Sequence, residues 1–190
     1  MITKSKAIPE HYQNHILSTV DHRSFPWFSV HEIHQGGTRM TFSHLVSNDG
    51  PDSPQRSTAT EYYDIFLPIA FAMSELIGKP IKKILRIRLG LILPTNWVDP
   101  NPTTKYQQAG EDPHVDFFMP HYTGLYYIND SDGDTVVYNE TKESDSYTKI
   151  QQVSPEKGKI FIFNGEHYHS SGTPAYSSHR LVATFNFITE

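Results

Sequence analysis

The first feature that could do chemistry is a histidine two residues before an aspartate, in His114-Val115-Asp116. The chain has 11 histidines, and a carboxylate follows two positions later after His114 alone. On a strand, residues two apart point to the same face at roughly 6.6 Å, so both side chains could hold one metal ion. The same spacing also occurs on solvated strand edges, and the pair alone leaves both interpretations open.

A second histidine occurs where an apolar strand has ended. Residues 160–163 are apolar, Asn164-Gly165 predicts a turn, and His169 follows just before small residues. Arg180 opens the last predicted strand. Two histidines and one carboxylate on one face of an ion leave three positions open, as in non-haem Fe(II) oxygenases. An arginine fork nearby suits the carboxylate of a small dicarboxylic co-substrate.

The elements that must position these residues are two helices followed by short strands. Apolar residues four apart predict a helix over residues 8–20, and a longer one is predicted to end at Gly78, with a kink at Pro68. From Ile81 the period changes to two. Further strands are predicted by segments rich in β-branched and aromatic residues, around 114–118, 123–128, 135–139, 149–153, 158–163 and 181–188.

This order predicts a mostly β fold with supporting helices, a double-sheet jelly roll with the N-terminal helices packed on one sheet. With 190 residues, 1–190 is read as a single domain. The segments 49–58 and 94–113 are predicted loops, and the second leads directly into His114.

The amino-acid composition disfavours some classes of partner and excludes metal sites that use cysteine. A formal net charge of -5 and the lack of a long basic block disfavour nucleic acid as a partner. No cysteine is present, so a metal must be held by His, Asp and Glu. No signal peptide or bilayer-spanning stretch is found, which predicts a soluble, cytoplasmic protein. The oligomeric state is not encoded in any recognisable pattern.

With these residues in place, the chain resembles the Fe(II)- and 2-oxoglutarate-dependent dioxygenases, in particular the prolyl-4-hydroxylase-like branch. That family has His-x-Asp, a distal His about fifty residues later and a basic residue about ten further on, which here are His114, Asp116, His169 and Arg180. The stretch "LYYINDSDGDTVVYNE" resembles the strand, turn and strand that follow the metal motif. The resemblance covers most of the chain and implies a double-stranded β-helix of cupin-like type.

The resemblance also implies the roles. His114, Asp116 and His169 would hold Fe(II), 2-oxoglutarate would chelate it and pair its far carboxylate with Arg180, and O2 would take the last position. The expected reaction is hydroxylation of an unactivated C–H bond of a small molecule or peptide, with peptidyl proline or another amino-acid side chain as the default. Succinate and CO2 would be released. Because Asp116 is retained, hydroxylation rather than halogenation is expected.

One position departs from the family pattern. Many members carry Ser or Thr two residues after the arginine, whereas this chain has Val182. Thr184 on the same strand face, or Tyr127, is expected to supply the missing hydroxyl. His167 is the alternative distal ligand, but His169 is favoured because it directly precedes small residues.

Other polar side chains remain open at this level. His121 and His179 are expected at the rim of the site or as partners of its ligands. Arg86 and Arg88 share one face of their strand, which would line the pocket mouth or face solvent. Two alternative functions also remain: a cupin-like metalloenzyme that does not use 2-oxoglutarate, and a non-catalytic jelly-roll binding module.

Overall fold

The computed structural model describes residues 1–29, 41–51, 58–94 and 112–190. The predicted loops at 49–58 and 94–113 therefore lie largely outside the described residues. The strands in the described ranges are, in chain order, β1 Ile2–Lys4, β2 Phe28–Ser29, β3 Thr41–Asn48, β4 Thr58–Ala59, β5 Ile81–Ile92, β6 Tyr122–Tyr127, β7 Thr135–Tyr138, β8 Lys149–Val153, β9 Ile160–Asn164, β10 His169–Ser171 and β11 Arg180–Thr189.

Both predicted helices are present, α1 over Glu10–Val20 and α2 over Tyr63–Ile77, which is continuous through Pro68. The buried face of α2 has helical spacing and consists of Phe66, Ile69, Ala70 and Met73. It ends as predicted at Gly78, whose φ of 71° is readily adopted only by glycine. Neither helix in the described ranges is long and apolar enough to cross a membrane.

The strands form two antiparallel sheets. In the larger sheet the order is β1-β9-β6-β11-β5-β3-β2, with β4 paired to β3, and the smaller sheet has the order β10-β7-β8. An apolar cluster joins the two sheets, with side chains from both: Leu125, Tyr127, Val137, Val153, Phe161, Phe163 and Val182. The sheets therefore face each other as a sandwich, and this arrangement confirms the predicted jelly-roll fold class.

The larger sheet has one face toward the helices and one toward the sandwich interior. On its outer face, Ile87, Leu89, Phe185 and Phe187 join the helices in the main core cluster. Because side chains alternate along a strand, the residues between them face inward. Arg86 and Arg88 on β5, and Arg180 and Asn186 on β11, thereby face the interior. Of the two placements that the sequence left open for Arg86 and Arg88, the interior face is the one observed.

The strand predicted over 114–118 is wrong. His114 makes a single antiparallel bridge with His169, and the residues after it form bends rather than a ladder. Proline on both sides explains this, because Pro113 and Pro120 have no N–H to donate to a neighbouring strand. In contrast, β1 to β4 and β10 were not predicted. β10 has three residues, too few to show a period.

Candidate metal and co-substrate site

Two distant parts of the chain bring the three predicted metal ligands together. The His114 N–H donates to the His169 carbonyl at 3.0 Å, and the His169 N–H donates to the His114 carbonyl at 2.9 Å. This bridge sets the two rings side by side, with centroids 4.6 Å apart. Asp116 follows on the same segment. One ligand atom from each of His114, Asp116 and His169 lies within 4.8 Å of the other two, close enough for all three to hold one ion.

The backbone orients both imidazole rings. His114 Nδ1 lies 3.0 Å from the Asp112 carbonyl oxygen, and His169 Nδ1 lies 3.3 Å from the His167 carbonyl oxygen. A carbonyl can only accept, so each Nδ1 must carry the proton in these contacts. Nε2 of each neutral ring is then left with its lone pair, which is the form that binds metal. Of the two candidate distal ligands, His169 is the one placed in the cluster.

Asp116 is nearly inaccessible, with 4% of its side chain exposed, and is held through both oxygens. Arg86 forms an ion pair with Oδ1, and the Asn186 amide donates to Oδ2 at 2.9 Å. Burial by itself raises the pKa of this carboxyl, but the positive charge of Arg86 is the main influence that opposes burial, and the pKa is held well below its usual range. Asp116 is therefore ionised at neutral pH, as a metal ligand must be.

A chain of hydrogen bonds continues from Asp116 into the sheet. Asn186 Nδ2 also donates to Thr123 Oγ1 at 3.2 Å, and Thr123 Oγ1 lies 3.3 Å from His121 Nε2. His121 Nδ1 donates to the Met119 carbonyl at 2.7 Å, so its Nε2 accepts from the Thr123 hydroxyl. His121 is therefore connected to Asp116 only through Thr123 and Asn186, and is not a direct partner of a candidate ligand.

His179 does not reach this cluster. Its Nε2 lies 4.0 Å from Asp21, the residue that follows α1, and its Nδ1 contacts the Ser178 hydroxyl. The expectation that His179 borders the site is wrong. Side chains alternate along an extended strand, so a residue next to the inward-facing Arg180 is directed away from the interior.

Arg180 lies between the two sheets, with 2% of its surface exposed. Its Nη2 donates to the Thr135 hydroxyl at 2.9 Å, and the Tyr127 hydroxyl donates to the same oxygen at 2.8 Å. The guanidinium carbon also lies 5.7 Å from the centre of the Tyr127 ring. Burial raises the pKa of Tyr127 and outweighs the lowering effect of Arg180, so the phenol stays neutral and can donate. A buried cation with two hydroxyls is suited to a carboxylate ligand.

The hydroxyls beside Arg180 are those of Tyr127, which was predicted, and of Thr135, which was missed. Thr135 stands 45 residues before Arg180 in sequence, and its position as the first residue of β7 after a DGD turn was the available signal. Val182 belongs to the apolar cluster between the sheets. Thr184 lies four positions along β11, roughly 13 Å from Arg180 along the strand. Its predicted part in holding a co-substrate stays a prediction.

Asp132 ties together the chain segments that carry Arg180 and Thr135. Its carboxylate accepts three backbone N–H groups, from Ala175 and Tyr176 at 2.9 Å and from Ser177 at 3.0 Å. Partial burial raises the pKa of Asp132, but the hydrogen bonds from Ser177 and its neighbours hold the pKa well below the usual range. These hydrogen bonds therefore hold the turn before β7 against the loop before β11.

Solved structures of other proteins share this architecture. A 2OG-Fe(II) oxygenase family protein from Burkholderia pseudomallei is similar with a TM-score of 0.66 and 12% identity, over 98% of this chain and 82% of the other. A prolyl-4-hydroxylase from Pseudomonas putida gives 0.59 and 13%, over 100% and 92%. The fold is that of the 2-oxoglutarate- and Fe(II)-dependent oxygenases. A prolyl hydroxylase from Trichoplax adhaerens, in complex with a peptide fragment of hypoxia inducible factor, gives 0.61 and 13%, over 98% and 82%.

No protein-family model and no curated protein matches the chain. At 12–13% identity, the shared oxygenase fold identifies the architecture but assigns no activity. The predicted double-stranded β-helix is confirmed by this likeness. The chemistry must be argued from the side chains of the site.

Proposed function

We propose that this protein is an Fe(II)- and 2-oxoglutarate-dependent oxygenase that hydroxylates a C–H bond of a small molecule or peptide. The observation that carries the proposal is the convergence of His114, Asp116 and His169 within 4.8 Å of one another. On the inner face of β11, the buried Arg180 and the Tyr127 hydroxyl both donate to the Thr135 hydroxyl oxygen. These two features correspond to the two ligands that such an enzyme must bind.

The donor set fits ferrous iron. Two neutral imidazoles and one carboxylate are the ligands of the facial triad, and no thiolate is available in this chain to favour zinc or an iron–sulfur cluster. Asp116 is ionised before any metal arrives, because its pKa is held below the usual range by Arg86 against the effect of burial. Together with 2-oxoglutarate and O2, bound iron supplies the oxidation of a C–H bond, with succinate and CO2 as co-products.

The protein's own residues would orient the metal ligands and bind the co-substrate. The carbonyl groups of Asp112 and His167 fix the imidazole tautomers, and Asn186 holds the Asp116 carboxylate. Arg180 would take the far carboxylate of 2-oxoglutarate, with the hydroxyls of Tyr127 and Thr135 beside it. Arg180 is buried between the sheets near the apolar cluster that contains Tyr127 and Val182, and low solvent exposure strengthens its interaction with a carboxylate.

An anaerobic Fe(II) titration tests the proposal, with and without 2-oxoglutarate, watching for the weak visible charge-transfer band of the chelated co-substrate. We expect the band in the wild type and its loss in His169→Ala. His167→Ala, two residues away and outside the ligand cluster, is the matched control and should keep it. Arg180→Met, which roughly preserves volume, should bind Fe(II) normally but need far more 2-oxoglutarate to develop the band.

Each contrary result has a distinct meaning. Tight Fe(II) binding without a co-substrate band in the wild type would support a cupin-like enzyme that does not use 2-oxoglutarate. Absence of metal binding would reject catalysis at this site and leave a jelly-roll binding module. A band that survives in His169→Ala and disappears in His167→Ala would move the distal ligand to His167.

A further inference from the structure

Arg88 is a cation on the inner face of the larger sheet that the roles above do not use. It stands two residues after Arg86 on β5, so the two side chains share the face that carries the Asp116 contact. Across the sheet its register partners are Thr184 on β11 and Leu45 on β3. Arg88 therefore lies among residues of the sandwich interior, on the β3 side of the metal ligands.

Arg86 and Arg88 differ in their partners. Arg86 is engaged by Asp116 and also donates through Nε to the Asn186 side-chain oxygen at 3.1 Å. Within the described ranges, no hydrogen bond or ion pair engages the half-buried guanidinium of Arg88. A partly desolvated guanidinium near a metal site favours an anionic partner.

The charge balance of the site with iron and 2-oxoglutarate bound also favours an anionic ligand near Arg88. Fe(II) and Arg180 together carry three positive charges, while Asp116 and the two carboxylates of 2-oxoglutarate carry three negative charges. Among the described residues these groups cancel, and Arg88 adds a further positive charge in a partly desolvated place, where charge is expensive to leave unbalanced. An oxyanion on the third ligand of the site, the prime substrate, would offset it.

The position next to Arg88 suits the carbon part of such a ligand. Leu45 is 40% exposed although it lies within a paired strand, and it stands directly across from Arg88. Its neighbour His44 packs against Phe25 and Tyr62 on the helix side, so alternation directs Leu45 inward. An apolar surface beside a guanidinium fits a molecule with a short hydrocarbon part and an oxyanion.

From these placements, and resting on the proposed function, we infer that the prime substrate carries a carboxylate or phosphate group that Arg88 binds beside the iron site. A guanidinium offers two parallel N–H donors that match either oxyanion. Arg88 is thus a specificity-determining residue, and Arg86 positions the Asp116 ligand instead of binding substrate.

The test uses protein loaded with Mn(II) and saturating 2-oxoglutarate, in which the paramagnetic ion speeds the relaxation of nearby protons. The probes are propionate and propionamide, which are similar in shape and differ in charge, and methylphosphonate. We expect the methyl protons of at least one anion to relax faster than those of propionamide. Loss of a charge-assisted hydrogen bond in Arg88→Gln should weaken binding of that anion by about tenfold or more. Arg88→Lys should restore part of it.

Lys82→Gln removes the same charge from an exposed position of β5 and should change nothing. Faster relaxation of propionate alone identifies a carboxylate substrate, and of methylphosphonate alone a phosphate ester. Equal relaxation of all three probes, or an anion effect that survives in Arg88→Gln, would overturn the inference while leaving the proposed function intact. Failure of the wild type to bind Mn(II) and 2-oxoglutarate would instead remove the proposed function, and the inference with it.

Discussion

At the scale of single residues, Asp116 illustrates how a buried charge is kept ready for a ligand. Its side chain is almost fully buried, which alone would favour the neutral acid. Arg86 and Asn186 each occupy one carboxylate oxygen and reverse that preference. Asn186 in turn depends on Thr123, which depends on His121. The geometry of the candidate ligand is therefore set by side chains that would not themselves touch a metal.

Replacing Thr123 with valine should measure how much this chain of hydrogen bonds contributes to the stability of the fold. The change keeps the shape but removes the hydroxyl that accepts from Asn186 and donates to His121, so both partners lose a buried hydrogen bond. We expect a loss of about 1–3 kcal/mol in the free energy of unfolding, measured by urea denaturation. Thr3→Val, on the exposed side of β1, is the control and should stay within about 0.5 kcal/mol. Equal stability of both variants would show that the network contributes nothing.

At the scale of elements, the surroundings of Arg180, the proposed co-substrate site, depend on two strand starts being held in place. Arg180 begins β11 and Thr135 begins β7, which belong to different sheets. Asp132 joins the segments in front of them, and Gly133 lets them approach. A Cβ at Gly133 would lie 2.7 Å from the Gly172 carbonyl oxygen and 3.1 Å from Arg180 Cδ. The Asp132 hydrogen bonds and the close approach at Gly133 therefore hold the first residues of β7 and β11 next to each other.

The Asp132 contact should depend on pH in a defined direction. Its folded-state pKa lies below the unfolded value of about 3.9, so the stabilisation is fully present above that pH and is lost as the pH falls toward the folded pKa. We expect the amide proton shifts of Ala175, Tyr176 and Ser177 to stay constant from neutral pH to about 4 and to change only in more acidic solution, as followed by NMR.

Two variants complete this experiment. Asp132→Asn should shift the three amide signals already at neutral pH and abolish their acid titration, because the charged acceptor is gone. Asp145→Asn, which changes an exposed aspartate outside these contacts, should leave them unchanged. Amide signals that titrate near pH 4 in the wild type would mean that the hydrogen bonds do not stabilise the ionised carboxylate.

At the scale of the whole molecule, the candidate metal site joins regions that are far apart in sequence and share only one isolated backbone bridge. His114 and Asp116 belong to the segment between β5 and β6, whereas His169 begins β10 of the smaller sheet. An ion held by all three would link this segment to the smaller sheet. Binding to the folded state alone should therefore stabilise the entire protein.

Thermal unfolding can measure this coupling. At a free Mn(II) concentration about 100 times the dissociation constant, linkage gives about 2.7 kcal/mol of stabilisation. For a chain of this length that corresponds to roughly 5–10 °C in Tm. Asp116→Asn should abolish the shift. Asp134→Asn, which alters a carboxylate bonded to Gln152 on the smaller sheet, should keep it. An equal shift in both variants would mean that Mn(II) binds elsewhere.

The sequence by itself determined what depends on local pattern. Periodicity predicted both helices and β5, because burial of one face leaves a repeat of 3.6 or two residues in the chain. Enrichment in β-branched and aromatic residues predicted β6 to β9 and β11. The His-x-Asp spacing, the distal His169 and Arg180 were equally visible, since residue type and spacing are properties of the sequence. Strand β10 was not predicted because three residues show no period. The strand predicted at 114–118 was wrong because prolines override β propensity.

Only the tertiary structure decided which of these residues meet. Arg86 reaches Asp116 across 30 positions, and Thr135 reaches Arg180 across 45. Neither pair has a local signature, because sheet order and the facing of two sheets are set by packing of the whole chain. The face of β5 is a further example. Alternation shows that Arg86 and Arg88 lie together, but whether that face meets solvent or the sandwich interior depends on where the helices and the smaller sheet pack.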